Sequence, residues 1–388
     1  MKILFVLNNM YLRGNGLCAS AQRTMDFLKK AGQDVKLLSG KNDDPEGPQP
    51  DFVLAEEFHI YPFDGLIHSQ GYKFSKNDVR VIEEALRWAD IVHLEEPFHV
   101  QWKVAKIAKK MGVPCTGTYH LHPENIFCNI GMAGWKWLNN ATLKVARDLI
   151  FNHCTDIQCP TRNVLERLEK FNFTARLHLI PNGLVPAPLL RQRDAVRDPE
   201  KPWMVTCIGR LSNEKDQFTL LKSMRYCRHA KQIQLYFAGR GPEEKAICAL
   251  ADKVYEEGTL AYRPIFAFHT LSELTELAAK SDLYIHCANV EVEGLSALEA
   301  MQQAVVPIIA EAPLSATSQF ALDSRSLFPA GDPKALAERI DYWLDHPEEL
   351  EEMRWQYAES VKQYRIDKSI AALIEMFHQA CGAPCKEK

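Results

Sequence analysis

Residues 291–299 read Glu-Val-Glu-Gly-Leu-Ser-Ala-Leu-Glu. Just before them, Leu283 to Cys287 is an apolar, strand-like run, and Val305 to Ala310 reads as a second buried strand. Leu295 to Gln303 has helical spacing, so the whole is strand, loop, helix, strand. A crossover of this kind joins parallel strands and is the building unit of an α/β sheet. Glu291 stands at a strand end, Gly294 supplies the turn, and the helix start leaves backbone N–H groups without partners. Those N–H groups suit a phosphate, while Glu291 and Glu299 can accept hydrogen bonds from sugar hydroxyls.

The same plan extends in both directions. Strands are expected at Met204–Ile208 and Gln234–Ala238, with helices at Asp216–Tyr226, Glu243–Lys253, Ser272–Ala279 and Pro333–Leu344. The first half alternates likewise. Lys2–Leu7, Val35–Leu38, Ile91–Leu94 and Pro114–Tyr119 read as strands. Ala19–Ala31 reads as a helix ending at Gly32, Asp78–Trp88 as one capped by Asp78, and Val100–Met111 as a third. The expected fold is α/β, with two doubly wound Rossmann-like domains facing across a cleft. Sheets of this type bind ligands at the carboxyl ends of their strands. The polar, proline-bearing stretch Pro186–Pro202 reads as a linker. The domains are therefore expected at 1–185 and 186–357, with a helix at about 358–388 packing back on the first.

Composition limits the function. The 388 residues exceed one compact core and fit two domains of about 180 residues. Apolar residues make up 46% and charged residues 25%, as in globular proteins. The net charge of −4 gives no basic field for nucleic acid. No apolar run is long enough to span a membrane, and Ile3–Leu7 is too short for a signal-peptide core. Eleven cysteines without paired metal spacing point to reduced thiols and a cytoplasmic location.

Three further motifs carry chemistry. Gly209-Arg210-Leu211-Ser212-Asn213-Glu214-Lys215 follows a strand and supplies two cations. His120 closes another strand in Gly-Thr-Tyr-His-Leu-His-Pro-Glu-Asn, with His122 and Glu124 close behind. Gly14-Asn15-Gly16-Leu17-Cys18-Ala19 has the form G-x-G-x-x-A, which raises a nicotinamide dehydrogenase. That reading is disfavoured: the first glycine comes six residues after the strand end, and Leu38-Ser39-Gly40 offers no acid for a ribose.

With Ile180-Pro181-Asn182-Gly183 and Ala238-Gly239-Arg240-Gly241-Pro242-Glu243, these motifs resemble family 4 glycosyltransferases, also called glycosyl transferases group 1. These are retaining enzymes of the GT-B fold. The resemblance implies that Arg210 and Lys215 hold the donor diphosphate and that Glu291 sits at the transferred sugar. It puts Glu299 on the ribose and the backbone of Gly294, Leu295 and Ser296 on the phosphates. Gly14 and Gly16 would approach the donor phosphate, and His120 would face donor and acceptor. His120, Glu291, Arg210 and Lys215 form the expected catalytic set. Gly239, Arg240, Phe268 and His269 are expected on the base side, and His122 and Glu124 at an acceptor. The chain departs from the family pattern at Glu293, Arg240 and Val185. An extra carboxylate at Glu293 would bear on donor choice.

Trp135, Leu138, Val145 and Leu149 recur at helical spacing within residues 131–152, interleaved with Lys136, Trp137, Lys144 and Arg147. Lys103, Lys106, Lys109 and Lys110 lie on the preceding helix. Lipid-modifying relatives use such helices on anionic membranes, while a helix packed on its own sheet would look similar. The resemblance implies a hexosyltransferase moving sugar from a nucleotide diphosphate donor, UDP-linked, to a glycolipid or lipid-linked saccharide in a bacterial envelope. Neither cofactor nor metal is expected, nor a nucleic-acid partner. The expected location is cytoplasmic, peripheral at the inner face of the membrane. A sugar-nucleotide epimerase on the same fold and a non-catalytic binding subunit are the competing readings.

Overall fold

A computed structural model describes residues 1–12, 15–62, 64–69, 72–128, 131–132, 134–192 and 198–382. Contacts divide the chain into two units. Met1–Phe127, Met132–Gly183 and the chain from Ile366 on belong to the first, and Leu184–Arg365 to the second.

The first unit is a parallel sheet of seven strands among the described residues. In chain order they are β1 (Lys2–Val6), β2 (Asp34–Gly40), β3 (Phe52–Leu54), β4 (Ile91–Leu94), β5 (Cys115–Thr118), β6 (Asp156–Cys159) and β7 (Arg176–Leu179). Their spatial order is β3-β2-β1-β4-β5-β6-β7. The reversal between β1 and β4 leaves a crevice at the carboxyl ends, where such sheets take ligands. After Lys2, β1 is apolar without interruption because both of its faces are covered: Ile3, Leu4 and Phe5 are fully buried. Helix Gly16–Lys30 begins three residues before its expected start, because Asn15 accepts hydrogen bonds from the N–H groups of Leu17 and Cys18. Asp78 caps its helix in the same way.

The second unit repeats the plan with β8 (Trp203–Ile208), β9 (Ile233–Ala238), β10 (Ile265–Ala267), β11 (Leu283–His286), β12 (Val290–Glu291), β13 (Val306–Glu311), β14 (Leu314–Ser315) and β15 (Leu327–Pro329). Six of them form a parallel sheet ordered β10-β9-β8-β11-β13-β15, and β12 pairs with β14. Phe237, Phe328, Leu336 and Trp343 are wholly buried in its core. Each such side chain contributes roughly 1.5–3 kcal/mol by leaving water.

The chain leaves the first unit at Gly183 and returns at Ile366. Leu184 N–H donates to the Tyr364 carbonyl at 2.7 Å, so the outgoing and returning segments run side by side. Gly183 has φ of 91°, and a Cβ there would lie 2.6 Å from Ile366 Cα, so only glycine fits without a shift. The return falls at 365/366 rather than near 358, because helix Pro347–Ser360 buries Leu350, Met353 and Tyr357 in the second unit. Helix Ile366–Ala380 then packs Ile370, Leu373 and Phe377 into the first unit, beside β5, β6 and helix Gly16–Lys30. The stretch read as a linker is tied down at its start. Gln303 donates to the Pro188 carbonyl at 2.9 Å and accepts from Leu190 N–H at 2.9 Å.

Candidate functional site

At the carboxyl end of the second sheet, three strand-end loops interlock. Gly209 N–H donates to the Ala238 carbonyl, and Gly239 N–H to that of Ala267. A Cβ at Gly239 would come within 2.0 Å of the Gly209 carbonyl oxygen, and one at Gly241 within 2.1 Å of that of Leu211. These glycines let neighbouring loops meet backbone to backbone, a constraint present without any nucleotide. Arg210 follows in the same turn. Burial lowers its guanidinium from the ordinary value, with Glu214 acting in the opposite direction.

Lys215 ends the short 3-10 turn Asn213–Lys215, and its Nζ is ion-paired with Glu291 Oε2. Glu291 itself ends β12. Burial works to raise its carboxyl, but Lys215 and His286 outweigh burial and hold it below the usual range. His286, at the end of β11, lies 3.6 Å from the same oxygen. Its Nδ1 is 3.0 Å from Tyr284 OH and its Nε2 3.2 Å from Thr317 Oγ1. Burial pushes this ring down to about 4, so it is neutral near pH 7. Tyr284 OH reaches Ser296 Oγ at 2.8 Å, linking the chain of contacts to the helix start.

Helix Leu295–Gln302 begins at Gly294, which has φ of 87° and no side chain with which to cap the helix. A Cβ there would meet Thr317 Oγ1 at 2.3 Å. Helix start, Lys215 and Glu291 thus lie within one connected set of contacts, with Glu299 one turn along the same helix. A helix N-terminus and a lysine can hold a polyanion, and a carboxylate can hold hydroxyls. Glu293 is 3% exposed, and its backbone carbonyl accepts from Thr317 Oγ1 at 3.4 Å. On the expected base side, His269 Nε2 contacts Tyr236 OH at 2.7 Å and its ring stacks on Tyr236. Arg240 lies over the exposed Phe268 ring at 5.3 Å.

In the first unit, His120 follows β5 and its Nε2 lies 2.6 Å from Glu95 Oε2. Glu95 follows β4 and was missed by sequence reading. Its neighbour Glu96 is also buried, and accepts from Asn8 N–H at 2.6 Å, Asn8 Nδ2 and Gln101 Nε2 at 2.9 Å, and the Tyr72 hydroxyl. Burial raises the Glu96 carboxyl above its ordinary value, against those hydrogen bonds. Glu96 thereby anchors Asn8, where the loop after β1 begins. Gly16 is the exposed first residue of its helix, with open space around a built Cβ. Gly14 lies outside the described residues.

His122 and Glu124 do not reach solvent as an acceptor site requires. His122 is fully buried, with Nδ1 2.9 Å from Arg167 Nη1, and Glu124 takes both oxygens to Arg167 Nη2 at 2.8 and 3.0 Å. Burial, then Arg167, pushes the His122 ring down to about 3. This cluster fastens helix Arg162–Lys170 to the segment after β5. Elsewhere, helix Lys136–Leu149 turns Leu143 inward and leaves Trp137, Val145 and Leu149 exposed, with Trp135 exposed just before it. No helix among the described residues is long and apolar enough to cross a membrane.

Residues 190–363 match the family described as Glycosyl transferases group 1, and residues 14–187 match Glycosyltransferase Family 4. No curated protein matches the chain. The solved structure of Anabaena Alr3699/HepE in complex with UDP and glucose is 15% identical, over 98% of this chain and 100% of that one, with a TM-score of 0.71. Sucrose-phosphate synthase from Thermosynechococcus elongatus is 15% identical, over 99% of this chain and 100% of that one, at 0.72. The catalytic domain of cholesterol-alpha-glucosyltransferase from Helicobacter pylori is 40% identical, over 42% of this chain and 100% of that one, at 0.38, too poor a superposition to argue from.

Proposed function

For a chain that belongs to the family 4 glycosyltransferases and has the GT-B fold, we propose transfer of a hexose from a UDP-linked donor to a hydroxyl acceptor with retention of configuration. The bond from the sugar's anomeric carbon to the phosphate oxygen breaks. The acceptor oxygen bonds to that carbon on the same face, and its proton passes to the leaving phosphate. Arg210, Lys215 and the helix start at Gly294 stabilise the charge that gathers on the diphosphate. Glu291 holds the sugar hydroxyls and Glu299 the ribose, and His120 orients a hydroxyl of the sugar or the acceptor. The α-donor then yields an α-linkage.

The observation that carries this reading is the Lys215–Glu291 ion pair beside an uncapped helix start. A cation for phosphate and an anion for hydroxyls are held against each other, ready to exchange partners when a sugar diphosphate enters. The UDP in the Anabaena structure, on the same fold, supports the choice of base.

The acceptor we propose is a lipid or lipid-linked saccharide at an anionic membrane. Exposed Trp135, Trp137, Val145 and Leu149, with Lys136 and Lys144 among them, support this. The experiment is release of free nucleoside diphosphate from a panel of nucleotide sugars, with and without lipid extract and EDTA. Release from one donor, raised by lipid and unchanged by EDTA, is the expected result. Release of an isomerised sugar without acceptor would instead make the protein an epimerase.

A further inference from the structure

In the first unit the two nitrogens of His120 are not equivalent. β4 and β5 run parallel with Leu94 opposite Gly117, so Glu95 and the Tyr119-His120 pair leave the sheet at the same edge. Glu95 is 2% exposed, and its Oε2 meets His120 Nε2 at 2.6 Å. An ionised carboxylate has no hydrogen to give, so the hydrogen in that contact sits on Nε2. Burial works to raise the Glu95 carboxyl, but His120 and then His93 outweigh it and keep the group ionised.

The surrounding hydrogen bonds agree in direction. Gln158 Nε2 donates to the Ile180 carbonyl, so Gln158 Oε1 accepts from the Thr118 hydroxyl at 2.8 Å. Thr118 Oγ1 must then accept from His93 Nε2, also at 2.8 Å. His93 Nδ1 is occupied by Thr116 Oγ1 at 2.9 Å. His93 lies 3.5 Å from Glu95 Oε1, and burial pushes its ring down to about 4, so it stays neutral and leaves Glu95 to His120. Among the described residues, no lysine or arginine pairs with Glu95, and His120 is its close partner.

We propose that Glu95 is a positioning residue, which keeps the His120 proton on Nε2 and presents Nδ1 as the atom that meets a substrate hydroxyl. The inference rests on the transferase reading, in which His120 orients such a hydroxyl. A carboxylate behind a functional histidine sets both ring orientation and tautomer.

The test is ¹⁵N NMR on protein labelled at histidine, with the His120 signal identified by its loss in His120→Gln. At a pH high enough for the ring to carry a single proton, the wild type should hold it on Nε2 and leave Nδ1 bare, and Glu95→Leu should lose that preference. A ring protonated at Nδ1, or a tautomer unchanged in Glu95→Leu, overturns the inference. Should Glu95→Leu fail to fold, Glu95→Gln removes the charge at equal size and is expected to weaken the preference.

Kinetics give the second readout. Glu95→Leu should lower kcat about tenfold to a hundredfold, with donor KM little changed. It should add almost nothing in a His120→Ala background, because the two residues act as one unit. Losses that multiply would mean Glu95 serves the fold alone. If the hydroxyl belongs to the sugar, donor hydrolysis without acceptor falls as well; if it belongs to the acceptor, only transfer falls. A wild type that turns over no donor would defeat the transferase reading, while the tautomer would still decide this inference.

Discussion

Each unit ends its central strands in a histidine and a carboxylate, but the two pairs are wired in opposite ways. In the first unit the carboxylate comes at the strand end, as Glu95 after β4, and the histidine from the next strand, as His120. In the second the histidine ends the strand, as His286 of β11, and the carboxylate follows, as Glu291. His286 is a buried, neutral spacer, because burial lowers its ring to about 4, with Glu291 acting against that and Lys215 adding to it. His120 is the close partner of its carboxylate at 2.6 Å, with His93 farther off at 3.5 Å. The same strand order thus serves two ends. One is a partly buried ion pair, Lys215 with Glu291, and the other a histidine paired with a carboxylate, His120 with Glu95. The cation that follows β8 makes the difference.

The comparison breaks most visibly at that cation. Lys215→Ala should lower kcat by about 10²- to 10³-fold, the scale expected for losing one fixed stabiliser of leaving-group charge. Stopped assays of diphosphate release check it, and an unchanged kcat would remove Lys215 from the chemistry.

Acid separates the units next. Burial lowers His93 to about 4 and His122 to about 3 in the first unit, and His286 to about 4 in the second. The unfolded chain takes up protons at these positions near the ordinary 6.5, whereas the folded chain does not. Their stability is complete above that pH and is lost as pH falls from 6.5 toward 4, by on the order of 1.4 kcal/mol per residue per pH unit. With two such residues against one, the first unit should lose stability more steeply as the pH falls. Melting curves from pH 7 to 4 test this, and His122→Asn should flatten the slope.

A smaller effect lies where the units exchange chain. Gly183→Ala forces a side chain into a left-handed backbone position against Ile366, and should cost about 1–3 kcal/mol. Turnover per folded molecule should stay near wild type, which denaturant unfolding followed by assay would show. Least is expected from Trp135→Ala with Trp137→Ala. Flotation with anionic vesicles at low salt should fall about tenfold, with turnover of a water-soluble acceptor unaltered. No co-flotation of wild type would withdraw the membrane.

The second unit was the more legible of the two. Its long strands are apolar runs set off by glycine turns, and Lys215, Gly294 and Glu291 stand at strand ends where ligands gather. In the first unit the three-residue β3 went unread, while β1, β2, β4 and β5 were readable. Farther along, β6 and β7 escaped notice because Asp-Ile-Gln-Cys and Arg-Leu-His-Leu look like loop. Asp156 is tolerated in full burial only because Arg176 Nε and His178 Nε2 reach it at 2.9 and 2.7 Å. Glu95 was hidden for a similar reason. In Leu94-Glu95-Glu96-Pro97 it resembles solvated loop, and its partner lies 25 residues away, brought close only by the pairing of β4 with β5. Conversely, His122 and Glu124 looked available because Arg167, which buries them, belongs to another helix.

The central claim is that the second unit holds the nucleotide through Lys215, released from Glu291. Titration calorimetry of UDP into wild type, Lys215→Ala and Glu291→Gln tests it most directly. The account predicts binding at least about tenfold weaker in Lys215→Ala, and no weaker in Glu291→Gln, where the lysine is already free of its ion pair. Equal affinity in wild type and Lys215→Ala would contradict it.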